Sequence, residues 1–186
     1  MTACKVCKTD FVKSKPLQNV CGFDCAMVQG HAKAKAIKAK RDRLDRAETR
    51  QKLADMATKP ELTALAQKAF NAYVRMRDYG LKCISCNNPI AWDGEKTGGV
   101  VDCGHYLSVG ARVNLRFTED NAAAQCKKCN NFLAGNAVNY RIGLVKRIGL
   151  ARVEALECDH ELKHYSKDDL RAIAAKYKQM TKELQK

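Results

Sequence analysis

The chain has 186 residues, enough for one ordinary domain or two small ones. Lysine and arginine outnumber aspartate and glutamate by 34 to 20, so the formal net charge is +14. That excess favours a polyanionic partner, either nucleic acid or a membrane surface. No stretch approaches the roughly 18 apolar residues of a transmembrane helix, and the N-terminal MTACKVCKTD lacks the apolar core of a signal peptide. We therefore expect a cytoplasmic protein with no membrane partner.

Ten cysteines are unusual in a sequence without an export signal. Disulfides are rare in a reducing compartment, and the cysteine spacing is typical of metal sites. Two sets of four each contain C-x-x-C: Cys4, Cys7, Cys21 and Cys25, then Cys83, Cys86, Cys126 and Cys129. Thiolates on a tight turn reach one Zn²⁺ together, so the spacing predicts two structural zinc sites. We expect the remaining two, Cys103 and Cys158, to be unpaired buried thiols.

Residues 1–27 are predicted to form a zinc ribbon. The segment is too short to bury a core, so zinc binding would supply its folding free energy. It offers no candidate base and no open ligand position, which favours a structural role.

Residues 28–80 are predicted to form a basic helical arm and then a packing helix. The arm is rich in alanine, lysine and arginine, which are strong helix formers, and its apolar residues are sparse. A solvated face, a partner helix and contact with DNA all remain open for it. The candidate phosphate contacts are Lys33, Lys35, Lys38, Lys40 and Arg41. In the packing helix, Thr58 and Glu61 form a capping-box pattern, and Gly80 follows the helix end.

Residues 81–142 hold the second cysteine set and a loop of about 39 residues between its halves, which is long for a bare zinc finger. GGVVDCGHYL predicts a short strand that carries His105, and QCKKCNNFLAGNAVNYRIGLVKRIG predicts a knuckle turn that enters a helix. Asp102, Asn121 and Asn130 accompany the histidine. An inert pair of zinc knuckles is the alternative to an active site.

The chemistry of these four residues favours phosphodiester hydrolysis. Carboxylate and amide oxygens suit Mg²⁺ or Mn²⁺ rather than zinc. Imidazole, with a pKa near neutrality, can take a proton from water. A bound metal would offset charge on the transition state and the leaving oxygen.

Residues 143–186 are predicted to be helical. Ser166 and Asp169 indicate a cap, and apolar residues recur at steps of three and four from Leu170 to Leu184. Such a seam serves either intramolecular packing or dimerisation.

These motifs resemble those of two known protein families. C-x-x-C, a strand histidine, an asparagine and C-x-x-C-Asn resemble the zinc-containing HNH (ββα-metal, or His-Me finger) nucleases of the endonuclease VII type. More closely, DCGHYLSVGARVNLRF, DNAAAQCKKCN and GNAVNYRIGL are similar to the NinG/Rap recombination proteins of lambdoid phages, over most of the chain. The resemblance implies a structure-selective endonuclease that cleaves branched DNA, such as Holliday junctions and D-loops, in phage recombination within the host cytoplasm. It also implies products with a 5′ phosphate and a 3′ hydroxyl.

Residue by residue, the resemblance implies that His105 is the general base and that Asn121 holds the loop that bears His105. Asn130 matches a ligand of the catalytic Mg²⁺ or Mn²⁺. In most HNH sites the acidic ligand immediately precedes the histidine, whereas here Gly104 does and the nearest acid is Asp102. Either a bulge at Gly104 brings Asp102 round, or one ligand is misassigned. Weaker ligand candidates are Asn136 and Asn139, and candidate phosphate contacts near the site are Arg112, Arg116 and Arg141.

The sequence thus predicts an α+β protein with a zinc-stabilised ββα-metal core, an N-terminal zinc ribbon and long helices. The expected function is Mg²⁺- or Mn²⁺-dependent cleavage of branched DNA by a homodimer that holds two structural zinc ions per chain. Two rivals remain: a non-catalytic zinc protein that binds and remodels DNA, and an HNH nuclease that acts on ordinary duplex.

Overall fold

The computed structural model describes residues 1–92 and 101–186. Its contacts divide the chain into two units, Met1–Ala57 and Thr58–Lys186, and each is described by itself. Part of the strand predicted in GGVVDCGHYL, Gly98–Val100, lies outside the described residues.

The first unit consists of a small hairpin and one long helix. Strands β1 (Thr2–Ala3) and β2 (Asp10–Phe11) pair antiparallel, and helix α1 follows at Phe23–Met56. Cys25 lies in the first turn of α1, so the helix begins inside the predicted ribbon. None of the 34 residues of α1 is buried. This agrees with the expectation that so charged a helix lacks a core-facing side.

The second unit begins with helix α2 (Lys59–Arg77) at the predicted capping box. The Thr58 side chain accepts from the Glu61 backbone, and the Glu61 carboxylate accepts from the Thr58 backbone N–H at 2.7 Å. Gly80 follows the helix end with φ of +80°, a conformation that favours glycine. Both predicted helix boundary signals are confirmed.

The C-terminal helix α5 (Lys167–Leu184) packs on α2. It begins at the predicted Ser166–Asp169 capping box, and its Leu170 and Tyr177 are buried. The Tyr177 ring lies 4.9 Å from that of Phe70, measured between centroids. The apolar seam of α5 therefore serves intramolecular packing, the first of the two predicted alternatives.

A second hairpin lies next to α2. Strands β3 (Val101–His105) and β4 (Ala122–Cys126) pair antiparallel, joined by a loop with two 3₁₀ turns, Val113–Leu115 and Glu119–Asn121. The three alanines that open β4 are buried. Their small side chains permit close packing on both faces of the strand.

Beyond β4 come a π-helical turn (Lys128–Phe132), helix α3 (Ala137–Ile148) and helix α4 (Leu150–Cys158). Buried side chains that join this region to the hairpin include Ile84, Leu115, Ala123, Tyr140, Leu144 and Val153. Helix α3 approaches the turn between Cys83 and Cys86 so closely that a Cβ at Gly143 would overlap the backbone oxygen of Ile84. Over residues 1–92 and 101–186 the protein is therefore α+β, mainly helical, with two small two-stranded sheets.

Among the described residues, no helix combines the length and the apolar character that a membrane crossing requires.

Candidate metal and nucleic-acid site

The two C-x-x-C segments share one backbone conformation. The residue after the second cysteine is left-handed in both, Lys8 with φ of 65° and Asn87 with φ of 56°. Its N–H donates to the carbonyl of the first cysteine, at 3.0 Å to Cys4 and 2.9 Å to Cys83. Each turn therefore presents both sulfurs on the same side, as a zinc knuckle requires.

The sulfur atoms of each set converge. Within each predicted set of four cysteines, all Sγ atoms lie within 4.8 Å of one another. Tetrahedral zinc–thiolate bonds of about 2.3 Å place neighbouring sulfurs about 3.8 Å apart. The Sγ atoms of Cys86 and Cys126 are 3.8 Å apart, and those of Cys7 and Cys21 are 3.5 Å apart. Both clusters could thus hold a zinc ion.

Backbone amides stabilise a thiolate in each cluster. The N–H of Cys21 donates to Cys4 Sγ, and the N–H of Cys126 donates to Cys83 Sγ, both at 3.4 Å. Burial by itself raises a thiol pKa, yet these amides and their neighbours lower the pKa of Cys4 to about 6 and that of Cys83 to about 7. The thiolate is the form that binds metal, so the backbone favours ionisation of the first cysteine of each set. In the same sets, the neighbouring Cys21 raises the pKa of Cys25 to about 12, and burial raises the pKa of Cys129 to about 12.

His105 ends β3 and is partly buried against α2, with its ring centroid 5.8 Å from that of Phe70. Its Nε2 lies 3.1 Å from the carbonyl oxygen of Arg116. A carbonyl only accepts, so Nε2 carries the proton and Nδ1 of the neutral ring is left to accept one. Burial lowers the pKa of His105 and the Arg116 charge adds to that effect, although the bond to the Arg116 carbonyl opposes it. The ring is therefore mostly neutral at pH 7.

Asn121 is fully buried and holds the loop that follows His105. Its Oδ1 accepts from the Leu107 N–H at 2.8 Å, and its Nδ2 donates to the Leu107 carbonyl at 2.9 Å. Nδ2 also lies 3.3 Å from the Leu115 carbonyl oxygen. This is the position expected of an asparagine that fixes the loop, two residues beyond the histidine.

Asp102 meets the asparagines that follow the last zinc cysteine. Its Oδ2 lies 3.0 Å from Asn130 Nδ2 and 3.1 Å from Asn131 Nδ2. Rotation of either amide by 180° would present an oxygen to the same point. One carboxylate and two amides form a hard-oxygen donor set, which fits Mg²⁺ or Mn²⁺. Sequence reasoning did not include Asn131, although its place beside Asn130 was a usable signal.

Of the two alternatives for Gly104, the bulge is wrong, which leaves the alternative that one metal ligand is misassigned. Five consecutive pairs join β3 to β4 without interruption, from Val101–Cys126 to His105–Ala122. Successive side chains of a regular strand point to opposite faces, so Asp102 and His105, three residues apart, lie on opposite faces of β3. Their Cα atoms are about 10 Å apart at the usual rise per residue.

Gly104 is explained instead by Gln125, which is fully buried on β4. A Cβ at Gly104 would overlap Gln125 Oε1 and lie 3.0 Å from Cδ. Gln125 Nε2 donates at 2.7 Å to Ser85 Oγ and at 2.7 Å to the Gly135 carbonyl. Gln125 on β4 therefore links the Cys83–Cys86 turn to the turn before α3. It fits there only because Gly104 lacks a side chain.

Two of the three candidate phosphate-binding arginines near the site are engaged within the protein. Arg112 donates to backbone oxygens of Asp159 at 2.9 Å and Glu157 at 3.2 Å. Arg141 forms a two-bond ion pair with Glu157, at 2.7 and 3.1 Å. Arg116 makes a weaker contact, 3.3 Å from Gln67 Oε1. Of the three, Arg116 is the least committed to structure.

The other predicted polar residues are placed as follows. Asn136 Nδ2 lies 3.5 Å from Cys129 Sγ, and Asn139 donates to Asn136 at 2.9 Å. These contacts orient the Cys126–Cys129 turn and do not add ligands to the Asp102 donor set. Cys103 is partly buried, and burial raises its pKa to about 12. Cys158 is exposed, so its prediction as a buried thiol is wrong: it lies at the end of α4, where the chain leaves the core.

These features define an α+β protein with two four-cysteine clusters, each able to hold zinc. The family model described as "Bacteriophage Lambda NinG protein" matches residues 1–186. The chain therefore belongs to the NinG family of phage proteins.

Three relatives illustrate the similarity. Protein ninG of Salmonella phage P22 and that of Escherichia phage 933W are each 40% identical to this chain over 135 residues, and that of Escherichia phage lambda is 38% identical. The aligned region covers 72% of this chain and 63%, 64% and 63% of these relatives. The chain thus spans less than two thirds of the relatives it matches. No solved structure matches significantly.

Proposed function

We propose that this protein is a metal-dependent endonuclease that cuts branched DNA. The observation that carries the proposal is the 3.0 Å contact between Asp102 Oδ2 on β3 and Asn130 Nδ2 in the π-helical turn that contains Cys129. It joins a carboxylate to the asparagine that follows the last cysteine, as the resemblance to zinc-containing HNH nucleases implies. The net charge of +14 supports a polyanionic substrate.

Each residue of the candidate site has a defined role. Asp102 and Asn130, with Asn131 beside them, would hold Mg²⁺ or Mn²⁺ through oxygen atoms. His105 accepts a proton from water at Nδ1, since its Nε2–H is directed at the Arg116 carbonyl. Asn121 fixes the backbone that follows the histidine. When bound, the metal supplies Lewis-acid stabilisation of charge on the phosphoryl and leaving oxygens.

The zinc sites have a structural task. The second cluster joins the chain before β3 to the end of β4, because Cys83 and Cys86 precede the hairpin, Cys126 ends β4 and Cys129 follows it. Zinc bound by these cysteines would fix the position of Asn130. The first cluster, with α1, would form a DNA-binding arm whose contacts are Lys33, Lys35, Lys38, Lys40 and Arg41.

One observation favours a second candidate, a non-catalytic zinc protein that binds and remodels DNA. Asp102 and His105 lie on opposite faces of β3, and a separation of about 10 Å along a strand exceeds the span of one phosphate group. A nuclease requires both groups at the same phosphodiester, whereas a binding protein does not. A third reading, an HNH nuclease for ordinary duplex, differs from the first only in substrate.

We further propose that the protein acts as a homodimer, because a four-way junction has two-fold symmetry and clean resolution needs two nicks. The α5 seam is covered by α2, so α1 is the remaining candidate surface, with Ile37, Leu44 and Leu53 all exposed. Sedimentation of His105→Ala with junction tests this directly. Two chains per junction at saturation are expected, and one chain would leave a monomeric nickase.

The proposed activity is tested by incubating the purified, zinc-loaded protein with a four-way junction and with a linear duplex of the same sequences. Each substrate is assayed with Mg²⁺ and in buffer without added Mg²⁺, so that the structural zinc is not removed. We expect Mg²⁺-dependent cuts near the branch and little cleavage of duplex. Binding to both substrates without any cleavage would favour the remodelling protein, and equal cleavage of both would favour the duplex nuclease.

A further inference from the structure

The residue after the Asp102 donor set is an exposed aromatic. Phe132 directly follows Asn131 and is 82% exposed, and the next residue, Leu133, is 48% exposed. Two of the other phenylalanines, Phe70 and Phe117, are buried in the second unit. Exposing a large aromatic side chain forgoes the stabilisation that its burial would give. An aromatic ring beside a candidate site is therefore a candidate contact for a ligand.

The turn that carries Phe132 is held in place on both sides. The Leu133 N–H donates to the Lys128 carbonyl at 3.0 Å, and the Gly135 N–H donates to the Asn130 carbonyl at 3.1 Å. Buried Gln125 donates to the Gly135 carbonyl at 2.7 Å. Ala134, Gly135 and Asn136 all have positive φ, at 47°, 82° and 47°, which is uncommon for the two that are not glycine. These bonds fix the backbone around Phe132, so little ordering entropy would be lost when its ring meets a partner.

The surrounding charge selects the class of partner. From Asn121 to Val153 the sequence contains no aspartate or glutamate and six basic residues. Three of the six form ion pairs with acids from elsewhere in the chain: Arg141 with Glu157, Arg147 with Asp78 and Arg152 with Asp120. The Asp102 carboxylate lies 3.1 Å from Asn131. The cations that come shortly before Phe132 are Lys127 and Lys128, and Lys128 is exposed. An exposed aromatic within an acid-free basic segment fits a nucleic acid with accessible bases, because phosphates meet the cations and a base face meets the ring. An acidic protein surface would satisfy the charge but would not require a flat aromatic ring.

We infer that Phe132 stacks on a base left unpaired or unstacked at a DNA branch, and so determines the preference of this protein for branched over linear DNA. The inference rests on the proposed DNA substrate and assigns its structural selectivity to one side chain. In continuous duplex every base face is covered by its neighbours, so the ring has no partner there unless it forces a step open. At a branch the stack is already interrupted, and the ring replaces a missing neighbour.

The test compares Phe132→Ala with Leu162→Ala, a control at a large apolar residue that is 85% exposed elsewhere in the second unit. The full zinc-loaded chain is titrated, without Mg²⁺, against a labelled four-way junction and against the duplex. Loss of one stacked base should weaken junction binding by roughly 5- to 150-fold. Duplex binding by Phe132→Ala should change less than twofold. Leu162→Ala should leave the junction-to-duplex affinity ratio unchanged, and Phe132→Trp should keep the ratio of the unmodified protein.

A junction containing 2-aminopurine at the branch gives a second readout. Its fluorescence should be quenched by the unmodified protein and by Phe132→Trp, but not by Phe132→Ala. The inference is overturned if Phe132→Ala weakens binding to the junction and to the duplex equally, or if it weakens binding to neither. Binding is measured without Mg²⁺, so this test does not depend on cleavage. A protein that never cleaves would refute the nuclease proposal, and the binding result would still decide this inference.

Discussion

Asn121 and Leu107 are joined by two hydrogen bonds across the loop between β3 and β4, with Leu107 N–H donating at 2.8 Å and the Leu107 carbonyl accepting at 2.9 Å. Asn121 side-chain atoms thus satisfy a backbone donor and acceptor that have no strand partner. Because Asn121 is fully buried, no water can replace it without rearrangement.

Asn121→Ala should therefore lower the free energy of unfolding by about 1–3 kcal/mol, the cost of leaving buried polar groups unsatisfied. Chemical denaturation measures this. Asn88→Ala, at an exposed position, serves as the control and should change stability by less than about 0.5 kcal/mol. Equal stability of both variants would show that Asn121 does not hold the loop.

Gly104 and Gln125 should be energetically coupled. Gly104→Ala places a methyl group against a Gln125 side chain that two hydrogen bonds keep in place, and should cost about 1–3 kcal/mol of stability as an overpacked site. In a Gln125→Ala background the same substitution should cost far less, since the obstructing side chain is gone. Gly110→Ala, where a Cβ meets no heavy atom of the described residues within 4 Å, is the neutral control. Additive effects of Gly104→Ala and Gln125→Ala would contradict this packing.

The second cysteine cluster should bind one zinc ion and stabilise the hairpin. Cys126→Ser should reduce the zinc content from about two ions per chain to about one and lower the thermal midpoint, because metal binding and folding are linked. Cys158→Ser, at an exposed cysteine outside both clusters, should change neither quantity. Metal analysis of the purified variants decides the matter: two zinc ions per chain in Cys126→Ser would refute the ligand assignment.

Helix α1 should contribute salt-sensitive DNA binding. Replacing Lys33, Lys35, Lys38 and Lys40 by glutamine should weaken binding to junction and duplex alike. The slope of log affinity against log salt should fall by roughly 0.9 for each phosphate that the variant no longer neutralises. The control replaces four exposed lysines of the second unit: Lys163, Lys167, Lys178 and Lys182. An unchanged slope in the first variant would mean that α1 faces solvent or a partner helix.

Local signals in the sequence predicted much of this fold. The capping boxes at Thr58 and Ser166 involve residues three apart, and the cysteine sets follow from ligand spacing, so a short window contains the needed information. The contact between Asp102 and Asn130 was predicted only through a family resemblance, since 27 residues separate the two in the sequence.

Other features depend on packing that no short window encodes. A bulge at Gly104 was one of two alternatives, because glycine often marks a bulge in a strand, yet the glycine is explained by the Gln125 side chain on the neighbouring strand. The partners of Arg112 and Arg141 lie at Glu157 and Asp159, on or just beyond α4, so these arginines resembled free phosphate contacts. Exposure of Phe132 was equally invisible, because an aromatic residue after a knuckle is as compatible with a core position.

His105 should set the pH dependence of cleavage. Burial and the nearby Arg116 charge lower its pKa below the ordinary value near 6.5. A general base acts only when unprotonated, so the rate should rise with pH, reach half its maximum below pH 6.5 and level off by neutrality. A pH–rate profile at constant Mg²⁺ measures this, and a half-maximum well above 6.5 would assign the base to another group.

The most direct measurement is single-turnover cleavage of a four-way junction in Mg²⁺ by the unmodified protein and by His105→Ala, with junction affinity and zinc content measured on the same samples. The account predicts cleavage that falls by roughly 10²–10⁴-fold in the variant, the usual effect of losing a general base, while affinity and zinc content stay nearly unchanged. Cleavage by His105→Ala at the original rate, or no cleavage by the unmodified protein, would contradict it.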